Sequence, residues 1–183
     1  MHADIQEVLF TPEQIAERVA QMGDAITRDY APCVAAGEGI VMMCVLRGAA
    51  TFMADLSRAV DLPLEMDYMA VSSYGAAAKS SGVVRIDKDL TGSIKDKHLV
   101  IAEDIIDSGL TLNHLRRHLM TREPLSIKVA AMLRKDVPRT EEVDCAYLGF
   151  DCPDEFVVGY GLDFAERYRN LPEIGILKPE IYK

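Results

Sequence analysis

Residues 100–112 read VIAEDIIDSGLTL, with Glu103, Asp104 and Asp107 directly before a Ser108-Gly109-Leu110-Thr111 turn. The stretch holds two chemistries. The turn opens a helix, whose first backbone N–H groups have no partner inside the helix and form a ready anion site. Ser108 and Thr111 add hydroxyl donors, and Gly109 allows close backbone approach. Asp107 to Thr111 therefore suit a terminal phosphate. Glu103 and Asp104 would repel that phosphate, but they suit sugar hydroxyls or a hard divalent cation. A ligand with a phosphate at one end and a ribose diol in its middle satisfies both halves. On residue types alone, an acidic pair at a strand end can equally be solvated or cap a helix.

These groups need rigid elements to hold them. HLVIAED (98–104) reads as a buried strand running into the turn, and LTLNHLRRHLM as a helix with Leu112, Leu115 and Leu119 facing inward. IVMMCVL (40–46) is a continuous apolar run, the pattern of a strand buried on both faces. LEMDYMAV (64–71) and SIKVAAMLRK read as further strands, and AYLGF, EFVVGY and IGIL as short later ones. TPEQ (11–14) starts an amphipathic helix. Thr11 caps it, Pro12 takes the first helical position, Gln14 reaches back, and Ile15, Val19, Met22 and Ile26 recur at helical spacing. RGAATFMADLSRAV is a second helix, with Phe52, Leu56 and Val60 on one face. This alternation predicts an α/β fold with a central, mainly parallel sheet flanked by helices. Such sheets bind ligands beyond the carboxyl ends of their strands, where both LRG (46–48) and EDIIDSG fall. SSYGAAAKSSG (72–82) reads either as a surface loop or as a lid over the site.

The 183 residues fit one domain, taken here as 1–183. A formal net charge of -9 argues against a nucleic-acid-coating surface, though not against an anionic small ligand held by backbone amides and a metal ion. Cys33, Cys44, Cys145 and Cys152 have no CxxC spacing and no neighbouring His, so reduced thiols are expected rather than structural zinc. No signal pattern opens the chain, and GIVMMCVL is too short to span a bilayer. A soluble cytoplasmic protein with no membrane partner is the expectation.

The order hydrophobic strand, two acids, two aliphatics, Asp, Ser, Gly and then Thr resembles the phosphoribosyl-pyrophosphate motif of the phosphoribosyltransferases. Four further blocks, in order along the chain, resemble the 6-oxopurine branch, the hypoxanthine or hypoxanthine-guanine phosphoribosyltransferases. VLRGAATFMADLSRAV is similar to its first loop and helix, and SSYG to the start of its lid. IKVAAMLRK is similar to the strand with its purine-facing Lys, taken as Lys128, and DEFVVGYGLDFAERYRNL to its C-terminal purine and pyrophosphate segment.

The resemblance implies a type I phosphoribosyltransferase fold, with a small hood from the N- and C-terminal segments and a flexible lid carrying Ser73 and Tyr74. It implies transfer of the 5-phosphoribosyl group to a 6-oxopurine, with Mg²⁺ as cofactor and a homodimer or homotetramer as the assembly. Asp107 becomes the general acid/base near purine N7. Ser108, Gly109, Leu110 and Thr111 take the 5′-phosphate, and Glu103 and Asp104 the ribose hydroxyls, directly or through metal. Leu46, Arg47, Gly48 and Arg169 face pyrophosphate, with a Leu46-Arg47 peptide that can be cis. Arg47 stands where the family usually has Lys, which keeps the charge but replaces a point charge by a planar fork. Asp163 helps hold a second Mg²⁺, Phe156 stacks on the purine, Val157 offers backbone groups to its edge, and Lys128 donates to the 6-oxo group. Hypoxanthine, guanine and xanthine are not separated by these residues. Two other readings stay open: a nucleotide-sensing regulator of the same fold, and an enzyme for another base such as xanthine, adenine or uracil.

Overall fold

The computed structural model describes residues 2–73, 84–137 and 143–183. Thr11 opens helix α1 (Pro12–Ala35) after strand β1 (Ile5–Phe10). Its Oγ1 accepts from Gln14 N at 3.4 Å, and Gln14 Oε1 accepts from Thr11 N at 2.9 Å. This reciprocal pairing satisfies two N–H groups that the helix cannot. Strand β2 (Gly39–Leu46), helix α2 (Ala50–Ala59), strands β3 (Glu65–Ser73), β4 (Val84–Lys88) and β5 (Lys97–Ile106), and helix α3 (Leu110–Met120) follow. The chain closes with strands β6 (Ser126–Lys135), β7 (Tyr147–Cys152), β8 (Val157–Val158) and β9 (Ile174–Leu177) and the short helix α4 (Pro179–Tyr182).

The main sheet has the order β4-β3-β2-β5-β6-β7, parallel throughout except for the antiparallel β3–β4 edge pair. Its central strands are apolar run after apolar run because both faces are covered. Ile40, Met42, Cys44, Val100, Ala102, Ala130 and Met132 pack with α1 and α2. Their alternates Val41, Met43, Leu99, Ile101, Val129 and Ala131 pack with Leu112, Leu115 and Leu119 of α3. The chain leaves β2 for β3 on one side and later takes up β5 on the other. The crevice at the carboxyl ends of β2 and β5 is therefore the place where such a sheet opens to a ligand.

A second sheet, β1-β9-β8, joins the two termini. It has its own small core of Ile5, Val158, Tyr168 and Leu177. This is the hood that the resemblance implied. Strands β1 and β4 escaped the sequence reading for a physical reason. In β1 only Ile5 is fully buried, and β4 is a short edge strand, so neither carries a clean apolar period. Strand β5 also runs two residues past the acids, because Ile106 is buried in the α3-side core. Tyr74 and the rest of the expected lid up to residue 82 lie outside the described residues.

Helices α1 and α2 meet at Gly23, where a Cβ would come within 2.5 Å of the Ala59 carbonyl oxygen. The contact is against backbone, which cannot rotate away. Gly23→Ala is expected to destabilise the fold by roughly 1–3 kcal/mol through overpacking, despite alanine's better helix propensity. Urea unfolding of both proteins checks this; equal or greater stability of the variant would contradict the tight crossing.

Candidate active site

The turn at 108–111 forms as its residues require. Gly109 caps α3 with φ 80°, a left-handed conformation that glycine adopts without cost, and no side chain caps the helix. The first intrahelical bond runs from Asn113 N to Gly109 O at 3.0 Å. The N–H groups of Leu110, Thr111 and Leu112 precede it and have no helical acceptor. Among the described residues only a long contact of 3.5 Å, from Leu110 N to Ser108 Oγ, touches this set. Asp107 is exposed at the end of β5, beside the turn.

Behind the turn, Glu103 and Asp104 occupy consecutive positions of β5 and so point to opposite faces of the sheet. Glu103 Oε2 is buried and has no hydrogen-bond partner among the described residues. Burial first, and the neighbouring Asp104 second, push the Glu103 carboxyl well above the ordinary carboxylate range. Asp104 is also raised, chiefly by burial; the backbone N–H of Ile105 and the charge of Arg169 pull it back, and Asp163 pushes it further up. Its Oδ1 accepts from Ile105 N at 2.8 Å. Its Oδ2 lies 1.7 Å from the point where a Cβ on Gly48 would sit, so any side chain at residue 48 would displace the Asp104 carboxylate.

Gly48 closes the loop after β2, and the Leu46-Arg47 peptide within it is cis. The same loop touches the C-terminal segment. A Cβ on Gly161 would sit 2.1 Å from the Gly48 carbonyl oxygen, and Gly161 has φ +102°. The segment is folded tightly, with Tyr160, Ala165, Glu166 and Tyr168 also at positive φ. Arg169 ties it together: Nη1 donates to Gly161 O at 2.8 Å, and Nη2 lies 2.8 Å from Asp163 Oδ1. Arg169 Nε is buried without a partner among the described residues. Glu166 links the two basic groups, 2.9 Å from Arg47 Nη1 and 3.6 Å from Arg169 Nη2. Leu46, Arg47, Gly48, Asp163 and Arg169 thus converge beside Asp104. The sequence reading passed over Glu166; its three-residue spacing from both Asp163 and Arg169 was the available signal.

Phe156 is half-buried, stacked on Tyr182 at 5.0 Å and edge-on to Phe164 at 5.5 Å. Val157 is buried and paired with Ile176 in the hood sheet. Ser73 ends β3 at its carboxyl end.

Lys128 is a correction. It is the third residue of β6 and pairs with Val100, at the amino end of the sheet. Its Nζ lies 2.8 Å from Asp29 Oδ2 of α1 and 3.3 Å from the Tyr147 hydroxyl. The strand rises ~3.3 Å per residue, so Lys128 is held about 20 Å from the carboxyl end where Asp107 emerges. The structure does not bring it to the site. Lys135, the last residue of the same strand, is at the correct end. It pairs with Cys152, and its Nζ lies 3.4 Å from Asp154 Oδ1, two residues before Phe156. Burial chiefly raises the Cys152 thiol to about 11; the nearby charge of Lys135 lowers it and that of Asp107 raises it. The strand-end rule used for LRG and EDIIDSG would have selected Lys135.

Comparison with known proteins shows the family and the fold. Residues 13–165 match the family model described as phosphoribosyl transferase domain. The chain is 50% identical to the hypoxanthine-guanine phosphoribosyltransferase of Mycobacterium avium, over 98% of this chain and 89% of that protein. It is 48% identical to the protein of the same name from Dictyostelium discoideum, over 97% and 98% of the two chains. A hypoxanthine phosphoribosyltransferase crystal structure from Staphylococcus aureus superposes with a TM-score of 0.93 at 43% identity, covering 100% of this chain and 97% of that one. With its anion turn, buried acid pair and basic loops gathered at one crevice, the chain belongs to the phosphoribosyl transferase domain family.

Proposed function

We propose that the protein transfers the 5-phosphoribosyl group from phosphoribosyl pyrophosphate to hypoxanthine or guanine, giving IMP or GMP and pyrophosphate. The observation that carries this reading is the division of charge across one crevice. An anion-binding turn at 108–111, a buried acid pair at 103–104 and a basic cluster of Arg47 and Arg169 lie side by side. That order matches 5′-phosphate, ribose diol and pyrophosphate. The relatives' names point to the same purine chemistry.

In this reading the amides of Leu110 and Thr111, with the Ser108 and Thr111 hydroxyls, hold the 5′-phosphate. Glu103 and Asp104 take the ribose hydroxyls. As the bond from C1′ to pyrophosphate lengthens, positive charge grows on the ribose and negative charge on the leaving group. The acid pair faces the first. Arg47, Arg169 and the backbone of Leu46 to Gly48 face the second. Asp107 exchanges the proton at purine N7, Phe156 lies against the ring, Val157 lends backbone groups, and Lys135, in place of Lys128, donates to the 6-oxo group. An ammonium has no acceptor, so the same lysine opposes the amino group of adenine.

The residues present fit Mg²⁺. Mg²⁺ takes one or two protein carboxylates and otherwise substrate oxygens and water; Asp104, which feels the charge of Asp163, would offer such an oxygen on one face of β5, and the unpartnered Glu103 Oε2 on the other. When bound there, the ion supplies positive charge to the diphosphate oxygens. Four free cysteines fit a reducing, cytoplasmic setting; no described helix is long and apolar enough to cross a membrane. Met66, Met120 and Leu125 leave apolar surface for a homodimer or homotetramer.

A turnover assay with phosphoribosyl pyrophosphate and Mg²⁺ tests the proposal, comparing hypoxanthine, guanine, xanthine and adenine for the parent chain and for Lys135→Ala and Lys128→Ala. Hypoxanthine and guanine should turn over and adenine should not. Lys135→Ala should lose about 10–100-fold in purine kcat/KM, the cost of one charged hydrogen bond, and Lys128→Ala should stay near the parent. No turnover with any purine would overturn the function; the reverse ranking of the two lysines would overturn the base pocket. Asp107→Asn should lower kcat by roughly 10²-fold or more while phosphoribosyl-pyrophosphate binding, read by calorimetry, survives. Near-parent turnover would remove Asp107 from the proton transfer.

A further inference from the structure

At the amino end of the sheet, away from the crevice, three residues from three segments converge. Cys33 lies in the last turn of α1, Glu38 just before β2, and His98 near the start of β5. The turn that joins α1 to β2 explains the meeting. Gly37 takes φ +88°, and Glu38 N donates to Cys33 O at 3.0 Å, which folds Glu38 back over the helix end. One ligand atom from each of Cys33, Glu38 and His98 lies within 4.8 Å of the other two. His98 Nε2 is 2.8 Å from Glu38 Oε2, and the Cys33 sulfur lies within 4.8 Å of both ligand atoms.

The imidazole is fixed from behind. His98 Nδ1 lies 2.7 Å from Ser126 Oγ, and its ring packs against Tyr30 at 5.2 Å. In the metal-free protein Nε2–H donates to the Glu38 carboxylate; a cation would displace that proton and leave Nδ1–H donating to Ser126 Oγ, with the Nε2 lone pair turned toward Cys33 and Glu38. Metal-binding histidines are oriented in this way by a hydrogen bond on the far nitrogen. The His98 side chain is 13% exposed and Glu38 41%, so the cluster has a rigid inner member and an outer one free to adjust.

We propose that Cys33, Glu38 and His98 bind a borderline divalent cation of the zinc class, with water as the fourth ligand. A thiolate and a carboxylate bring two negative charges to balance the ion, and the sulfur and nitrogen donors select against Mg²⁺. Binding displaces the Cys33 thiol proton to solvent, and the sulfur lone pair forms the metal bond. Tetrahedral zinc with N, O and S ligands sets its donor atoms about 3.3–3.6 Å apart. The present His98–Glu38 contact must therefore open by less than about 1 Å, which the exposed Glu38 permits. The nearby Lys128 ammonium is already balanced by Asp29 at 2.8 Å. His98 and Glu103 are five positions apart on β5, so this site and the ribose-facing acids lie at opposite ends of one strand. The cation would clip the α1–β2 turn to the central strand.

The test uses the full, reduced, metal-stripped chain titrated with Co²⁺, whose thiolate complexes absorb in the near ultraviolet and whose tetrahedral complexes have strong visible bands. One equivalent should develop both. Cys33→Ser should abolish the thiolate band while leaving phosphoribosyl transfer at the parent rate, which also shows that the variant folds. His98→Gln and Glu38→Gln should each weaken Co²⁺ binding at least 10-fold, and Ser126→Ala about 10–100-fold. Zn²⁺ should also protect Cys33 of the parent chain from a thiol reagent, with the protected residue located by mass spectrometry. Absence of a thiolate band, a band that survives Cys33→Ser, parent-like affinity in Glu38→Gln or His98→Gln, or no protection of Cys33 would each overturn the site.

Discussion

Two carboxylates held in the middle of a sheet covered on both faces are the constraint around which the rest of the molecule is arranged. Glu103 and Asp104 end an apolar strand covered on both faces, so neither can retreat fully into water. Burial pushes each toward its protonated form, with Asp104 adding to the push on Glu103 and Asp163 to that on Asp104. The surroundings accommodate Asp104 and leave Glu103 open. Gly48 gives up its side chain so that the Asp104 carboxylate can lie against the loop, and Gly161 does the same for the Gly48 carbonyl. Arg169 then approaches with its charge. Glu103 Oε2 has no such partner among the described residues, which is the state of a group made for a ligand.

This view explains why the segments that close over Asp104 come from distant parts of the chain. The loop after β2 must be thin to pass over Asp104, and a thin loop lets the 160–169 segment settle on it. Glu166 closes the assembly by bridging Arg47 and Arg169. The Arg at position 47 fits that role, since its fork reaches both Glu166 oxygens, Oε2 at 2.9 Å and Oε1 at 3.3 Å.

Much of this was legible in the sequence, for reasons that differ by element. The apolar runs of β2, β5 and β6 were clear because strands buried on both faces need no alternation. The capping box at Thr11 and the glycine turn at Gly109 were clear because local chemistry decides them. Strands β1 and β4 were not, because tertiary pairing rather than their own pattern makes them strands. Lys128 was misplaced because a block resemblance carries no direction: the strand holds two lysines, and only its polarity says which one reaches the crevice. The amino-end cluster of Cys33, Glu38 and His98 was invisible for the opposite reason. Its residues are 60 positions apart between Glu38 and His98 and follow no ligand spacing. The fold alone brings them together.

The acid pair is tested most directly by the pH dependence of stability in Glu103→Gln. In the unfolded chain Glu103 ionises near 4.5, whereas in the folded chain its proton is held to higher pH. The folded state therefore binds more protons, and stability from this group is lost as pH rises from about 4.5 through the raised folded value. Urea unfolding without divalent cation, from roughly pH 5 to pH 8, should find Glu103→Gln more stable than the parent, with a gap that widens as pH rises. A variant that is equally stable or less stable across that range, with no pH-dependent gap, would contradict the account.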